Sequence, residues 1–285
     1  MIITLLLILF NTLLLLFSAE AMAGARHGLE IWLINVVPSL FPFMVVTNII
    51  LKRPLAFNPK FMTFIVGFTA GAPLSTKIIA DQLMDGKINK LEAQRLLSSC
   101  TNMGIMFVLG TVGAITGDAL ISKKILAVHY IAALATGFLF KFYKHSKEIS
   151  YSEKKELAYS KESFSTTFKE SVSNSVKNTL IIGGYIIFFS VTIKFLEISR
   201  VSNYISQITN FKEAAPLVYG FFEVTTALSY TNSPIIIATI ISFTGISIIS
   251  QSISFLDKSG LSFKIFIFSK FIHAIITFLL SYLIF

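Results

Sequence analysis

Two charged side chains set in apolar surroundings are the residues of this chain that invite chemistry. Lys77 closes the stretch Gly67-Phe68-Thr69-Ala70-Gly71-Ala72-Pro73-Leu74-Ser75-Thr76-Lys77, and Glu223 lies within Gly220-Phe221-Phe222-Glu223-Val224-Thr225-Thr226-Ala227-Leu228-Ser229. Each half of the chain thus holds one broken apolar segment carrying one charge. A helix interrupted at membrane depth leaves free N–H groups where one half-helix starts and free C=O groups where the other ends. Lipid satisfies neither set, so a ligand, an ion or buried protein must. Broken segments in corresponding positions of two halves are the pattern from which transporters build substrate sites.

The elements that must position these residues are membrane spans. Hydrophobic residues make up 54% of 285 positions and charged residues 14%, with 28 phenylalanines and a mean hydropathy of +0.75. That is too much apolar surface for one soluble core of this size. The net charge of +9 is scattered between apolar runs without a stripe of interleaved aromatics, which argues against nucleic acid and for anchoring at anionic headgroups. Cys100 stands alone, and His27, His129, His145 and His273 show no metal-ligand spacing, so neither a disulfide framework nor a metal site is expected. An intramembrane enzyme would need a nucleophile with its base, or a metal set, and neither is evident, so an enzyme is not expected.

Residues 1–19 are apolar and uncharged and are expected to be a retained span in preference to a secretory signal, since no basic segment precedes them. A second span covers 27–51, bent at Pro38-Ser39-Leu40-Phe41-Pro42. Residues 61–84 hold the first broken segment, and 88–97 read as an amphipathic helix at the interface. The stretch 98–117, dense in Gly, Ser, Thr and Asn, is expected to be a re-entrant hairpin, with a further span at 125–140. A Lys/Glu/Ser-rich linker then divides the halves. The second half repeats the outline: a span at 178–193, an amphipathic stretch near 201–208, a broken segment at 214–230, a hairpin at 234–255 and a closing span at 263–285. His129-Tyr130-Ile131-Ala132-Ala133-Leu134 and His273-Ala274-Ile275-Ile276-Thr277-Phe278 occupy matching places, as duplication predicts. The sequence alone does not decide between inverted and parallel repeats.

The fold expected is all-α integral membrane: a polytopic helical bundle of two repeats with broken helices and re-entrant hairpins. Its divisions are 1–24, an N-terminal transmembrane helix; 25–142, a first repeat; 143–176, a hydrophilic linker; and 177–285, a second repeat.

Four motifs in order carry a family resemblance: Pro38-Ser39-Leu40-Phe41-Pro42-Phe43, Gly71-Ala72-Pro73-Leu74-Ser75-Thr76-Lys77, Gly220-Phe221-Phe222-Glu223-Val224-Thr225 and Gly245-Ile246-Ser247-Ile248-Ile249-Ser250-Gln251. Through them the chain resembles, over roughly residues 25–285, the sporulation integral membrane proteins of the YlbJ/SpoVV type. That group carries the nucleoside-recognition Gate domain related to concentrative nucleoside transporters, so the two repeats would be Gate-like. Ala72, Ser75 and Thr76 depart from the Gly-Tyr-Pro-x-Gly-Ala-Lys form usual there. The resemblance implies a multi-pass carrier of a small anionic or nucleoside-like solute, in the cell membrane or the membrane around the forespore, with dipicolinate export as the proposed cargo step. The rival is a non-transporting structural or assembly protein of sporulation.

The residues fit an anion. Lys77 facing a cavity is a desolvated cation, and the half-helix start after Pro73 adds partial positive charge. Glu223 would hold the coupling ion, sodium or proton, or accept from a ring nitrogen or hydroxyl. Ser75, Thr76, Asn102, Thr225, Thr226, Ser247 and Gln251 supply neutral hydrogen-bonding groups. No tightly bound cofactor is expected; the partners are the bilayer and the small solute, and a homo-oligomer is compatible. Plainer roles stand beside these. Lys77 could pair with Asp81 and snorkel to headgroups, Asn102 and Gln251 could tie helices together, and His129 and His273 are expected to bond neighbouring helices in preference to shuttling protons.

Overall fold

The computed structural model describes residues 2–52, 58–142 and 163–285, and all regular structure among them is helical. The first half contains α1 (Ile2–Leu16), α2 (Ser18–Ile31), α3 (Val37–Leu51), α4 (Pro59–Thr69), α5 (Leu74–Met84), α6 (Lys90–Cys100), α7 (Gly113–Thr116) and α8 (Ala119–Phe140). The second contains α9 (Phe164–Ile198), α10 (Val201–Thr209), α11 (Ala214–Phe222), α12 (Val224–Ala227), α13 (Pro234–Phe243), α14 (Gly245–Ser259) and α15 (Phe263–Ile284). Five described stretches are long and apolar enough to cross a membrane: Ser18–Leu51, Ala119–Phe140, Phe164–Ile198, Pro234–Ile253 and Phe263–Ile284. The protein is a polytopic helical membrane protein.

Local signals start and stop these helices where polar caps stand. The Asn58 side chain accepts from Lys60 N–H before α4, Asn89 and Glu92 form a reciprocal capping box on α6, and Asp118 accepts from Leu120 and Ile121 before α8. Ser163, Ser233 and Ser262 cap α9, α13 and α15 in the same way. Gly117 and Gly260 end α7 and α14 in the left-handed conformation.

Several expected boundaries move. The apolar N-terminal run breaks at Phe17, so α1 has 15 residues and at 1.5 Å per residue is shorter than the roughly 30 Å hydrocarbon layer. The next helical stretch already begins at Ser18. Its proline pair is accommodated by a π-helical turn at Trp32–Val36, directly before Pro38. Ser39 Oγ then donates to the Asn35 carbonyl at 2.8 Å and meets Thr111 Oγ1 at 2.8 Å. At the other side of the linker, residues 164–176 belong to α9, whose Thr167, Ser171 and Ser175 are buried. Asn48 Nδ2 donates to Ser175 Oγ at 3.0 Å and Lys52 pairs with Glu170; these contacts turn that part of the expected linker into packed helix. Residues 143–162 of it lie outside the described residues.

The hairpins also lie elsewhere than the glycine-rich composition indicated. Helices α4 and α5 turn back on each other about 70–73: Thr63 Oγ1 donates to Gln82 Oε1 at 3.0 Å, and Gln82 Nε2 donates to the Pro59 carbonyl at 3.0 Å, joining their far ends. By contrast, α6 and the π-helical turn Phe107–Val112 that leads into α7 pack along the same helix, α8, and do not fold back on each other, and neither do α13 and α14. They are discontinuous helices, broken at 101–104 and at Thr244. Nor is α6 a lipid-interface helix, because its Ala93, Leu96, Leu97 and Cys100 face pack in a buried core with Ile79, Leu256 and Phe266.

Two antiparallel pairs organise the bundle. Along α2, α3 and α9, Gly24 abuts Val191, Gly28 abuts Ser190, and Trp32 Nε1 donates to the Thr179 carbonyl at 3.1 Å. Along α8 and α15, Lys124 lies over the Phe285 ring, His129 meets His273, and Phe140 meets Phe268. In each pair one member comes from the first half of the chain and the other from the second, and the two run antiparallel.

Candidate functional site

The second broken segment also turns back, Thr231 Oγ1 donating to Glu213 Oε2 at 2.7 Å across its two ends, and each hairpin tip seats on a helix break. Gly71, with φ of +74°, lies so close to Gly104 and Asn102 that a Cβ there would meet Gly104 N at 2.4 Å, and Ala72 N–H donates to the Asn102 carbonyl at 2.8 Å. In the second half, Gly245 approaches the Gly220 carbonyl and Val224. Glycine suits both approaches: a Cβ at Gly71 would collide with Gly104, and at Gly245, whose φ is +67°, it would crowd the Gly220 carbonyl at 3.1 Å.

Between these two seats lies a two-part cavity. The inner chamber, about 40 Å³, is bounded by the first tip (Ala72, Pro73), the first break (Met103, Gly104), the second tip (Glu223, Thr225) and Ser247 and Gln251 of α14. It has room for a few waters. The outer chamber, about 260 Å³, shares Leu40, Ala72, Pro73, Ile182 and Gln251 with it and extends to Lys77, Asn178, Tyr185 and Ser250. Its size approaches the lower end of small-ligand sites, roughly 300–1,000 Å³. The two broken segments therefore converge on one space.

The expected site residues divide on this geometry. Glu223, Thr225, Ser247 and Gln251 line the inner chamber, and Lys77 and Gln251 line the outer one. Gln251 is buried with neither Nε2 nor Oε1 hydrogen-bonded, and Ser247 Oγ is also unpaired. Buried polar atoms without partners cost about 1–3 kcal/mol each unless something fills the place. Lys77 is half exposed and pairs with Asp81 at 3.4 Å, so the plainer pairing and the cavity position hold together. The Glu223 carboxylate caps the second tip, Oε1 accepting from Thr225 N–H at 2.9 Å and Oε2 from Thr226 N–H.

Four expected residues do not reach the cavity. Thr76 Oγ1 donates to Ser252 Oγ at 3.3 Å, and Thr226 Oγ1 meets Ser190 Oγ at 2.6 Å; both are buried between helices. Ser75 is buried on α5 away from the lining, with Oγ unpaired. The Asn102 amide donates to the Ser99 carbonyl at 2.6 Å and so holds the break itself together.

Lys270 is a residue that the sequence reading passed over. Among the described residues it and Glu223 are the buried members of the Asp, Glu, Lys and Arg set. Its Nζ donates to the Thr101 carbonyl at the end of α6 and lies 5.5 Å from the Phe266 ring centre. The signal was present: an ammonium inside an apolar span is costly and marks function by default. Glu223 and Lys270 thus sit at opposite kinds of helix end, the anion on free N–H groups and the cation on a free carbonyl, each favoured by the local dipole.

No family model matches the chain, and no solved structure matches it. Among curated proteins it is similar to the sporulation integral membrane protein YlbJ of Bacillus subtilis (strain 168), with 24% identity over an alignment of 303 positions, 88% of this chain and 74% of that protein. Collinear similarity of this extent, joined to several spanning helices, supports the resemblance at the level of a YlbJ-type membrane protein.

Proposed function

From the premise that the chain is a multi-pass YlbJ-type membrane protein of a spore-former, we propose that it is a transporter of a small anionic solute, with dipicolinate export during endospore formation as its task. The observation that carries this reading is Gln251. Its side-chain amide, buried and without a protein partner, stands in the lining of both chambers where the two broken segments meet. An amide that faces the cavity without a protein partner is available to exchange water for solute. Lys77 supplies a cation at the outer chamber for a carboxylate, and Ser247 and Thr225 supply hydroxyls further in. The inner chamber is too small for an aromatic dicarboxylate, so passage requires the hairpin tips to part from the breaks on which they rest, an alternating motion between repeats.

The test is uptake of labelled dipicolinate into proteoliposomes, with labelled nucleosides alongside. Saturable dipicolinate uptake, lost in Gln251→Ala at unchanged protein level, is the expected result. Uptake of nucleoside alone would change the cargo class. Uptake of neither would favour a non-transporting assembly role in the sporulation membrane.

A further inference from the structure

The break at 101–104 leaves the carbonyl end of α6 without helical partners, and the structure pairs several of the carbonyls there with other donors. Thr101 Oγ1 donates to Leu97 O at 2.6 Å, Asn102 Nδ2 to Ser99 O at 2.6 Å, and Ala72 N–H to Asn102 O at 2.8 Å. The Thr101 carbonyl receives the Lys270 ammonium. Carbonyl ends of interrupted helices are the places where carriers hold a coupling cation, because partial negative charge and free lone pairs converge there.

We infer that the Lys270 ammonium is a tethered cation that permanently fills the carbonyl end of α6 where a sodium ion would otherwise bind, so that sodium neither binds there nor drives this protein. The inference rests on the transporter reading for its functional half only; the occupancy of the carbonyl end stands by itself. Register makes the placement specific. Helix α15 runs parallel to α6, and Gln94 clamps their starts, its Nε2 donating to the Ser262 carbonyl at 3.2 Å and its Oε1 accepting Ser262 N–H at 2.8 Å. From that clamp the side chain at 270 arrives level with Thr101. If His129 and His273 are matched, the counterpart of Lys270 on α8 is Leu126, so the ammonium belongs to one repeat.

No carboxylate among the described residues pairs with this charge. The titratable groups that face it are Cys100 from α6, His129 from α8 and His273 from its own helix, while α13 carries none. Each imidazole has a ring nitrogen taken by the backbone: His129 Nε2 accepts Met103 N–H at 3.2 Å, and His273 Nε2 donates to the His129 carbonyl at 3.0 Å. The helix end is therefore the counter-charge that the protein provides.

The test compares the melting temperature of the purified protein in sodium, potassium and choline chloride at equal ionic strength. The wild type is expected to melt at one temperature in all three. In Lys270→Ala the uncovered Thr101 carbonyl, with the partial negative charge of the helix end behind it, is expected to take up sodium, giving a rise of a few degrees specific to that ion. Sodium-specific stabilisation of the wild type, or indifference of a folded Lys270→Ala to sodium, would overturn the inference. Should that variant not fold, Lys270→Met, which keeps the apolar stem and removes the charge, takes its place in the same comparison. In proteoliposomes, dipicolinate uptake is expected to proceed at the same rate with or without a sodium gradient. Uptake driven by sodium would sink the inference and keep the transporter; no uptake under any gradient would sink the transporter and leave the melting result standing.

Discussion

The imidazoles of His129 and His273 lie with ring centres 4.8 Å apart, although 144 residues separate them in the chain. They stand on the antiparallel helices α8 and α15, one from each half of the chain. Their roles differ. His129 Nε2 accepts Met103 N–H and must therefore carry its proton on Nδ1, which donates to Ser242 Oγ at 2.7 Å. His273 instead donates through Nε2 to the His129 carbonyl. One imidazole thus ties the first helix break to α13, and the other ties the two repeats together.

Replacing His129 by leucine leaves the buried Met103 N–H without an acceptor. A loss of about 1–3 kcal/mol is expected, read as a lower melting temperature in detergent. A variant as stable as wild type would show that the break does not depend on this imidazole.

Gln251→Leu keeps the volume of the side chain and removes its unpaired amide. Because that amide has no protein partner to lose, stability is expected to hold or rise while dipicolinate uptake falls at least tenfold. Unchanged uptake would remove the cavity from the mechanism.

Lys77→Ala is expected to abolish anion uptake at normal membrane level, and Lys77→Arg to restore it only in part, since a planar guanidinium is not an ammonium in reach or shape. The Asp81 pairing is exposed, and such pairs contribute roughly 0–1 kcal/mol. Melting temperature should accordingly barely move in either variant. A large drop in Lys77→Ala would assign the lysine to folding.

Glu223→Gln turns one of two accepting oxygens into a donor facing a backbone N–H. The second tip then has an unsatisfied Thr225 or Thr226 amide, and a loss of about 1–3 kcal/mol is expected. Equal melting of Glu223→Gln and wild type would mean that the carboxylate is not needed for the cap.

At Gly104, a Cβ would meet the Thr69 carbonyl at 2.6 Å and the backbone of Ala70 at 2.9 Å. Gly104→Ala is expected to push the first tip off its seat, with uptake lost in protein that still reaches the membrane. Normal uptake would show that the tip moves freely without this contact.

The sequence by itself determined the membrane class and where the chain is interrupted. Pro73, Glu223 and Thr244-Gly245 act locally, through a missing donor, a cap or a left-handed turn, so their effects are readable from a few neighbouring residues. It also pointed to His129 and His273 as groups that bond neighbouring helices, since a polar ring inside an apolar span needs a partner there. Tertiary structure decided which interruptions turn back. The composition of 98–117 fits a hairpin as well as a discontinuous helix, and the difference lies in whether the second arm packs on the first or on other helices. Packing likewise drew Thr76 and Thr226 into interhelical hydrogen bonds and left Gln251 facing open space. Lys270 meets a carbonyl 169 residues away; a charge so distant in sequence finds its partner only when helices from both repeats are brought into register.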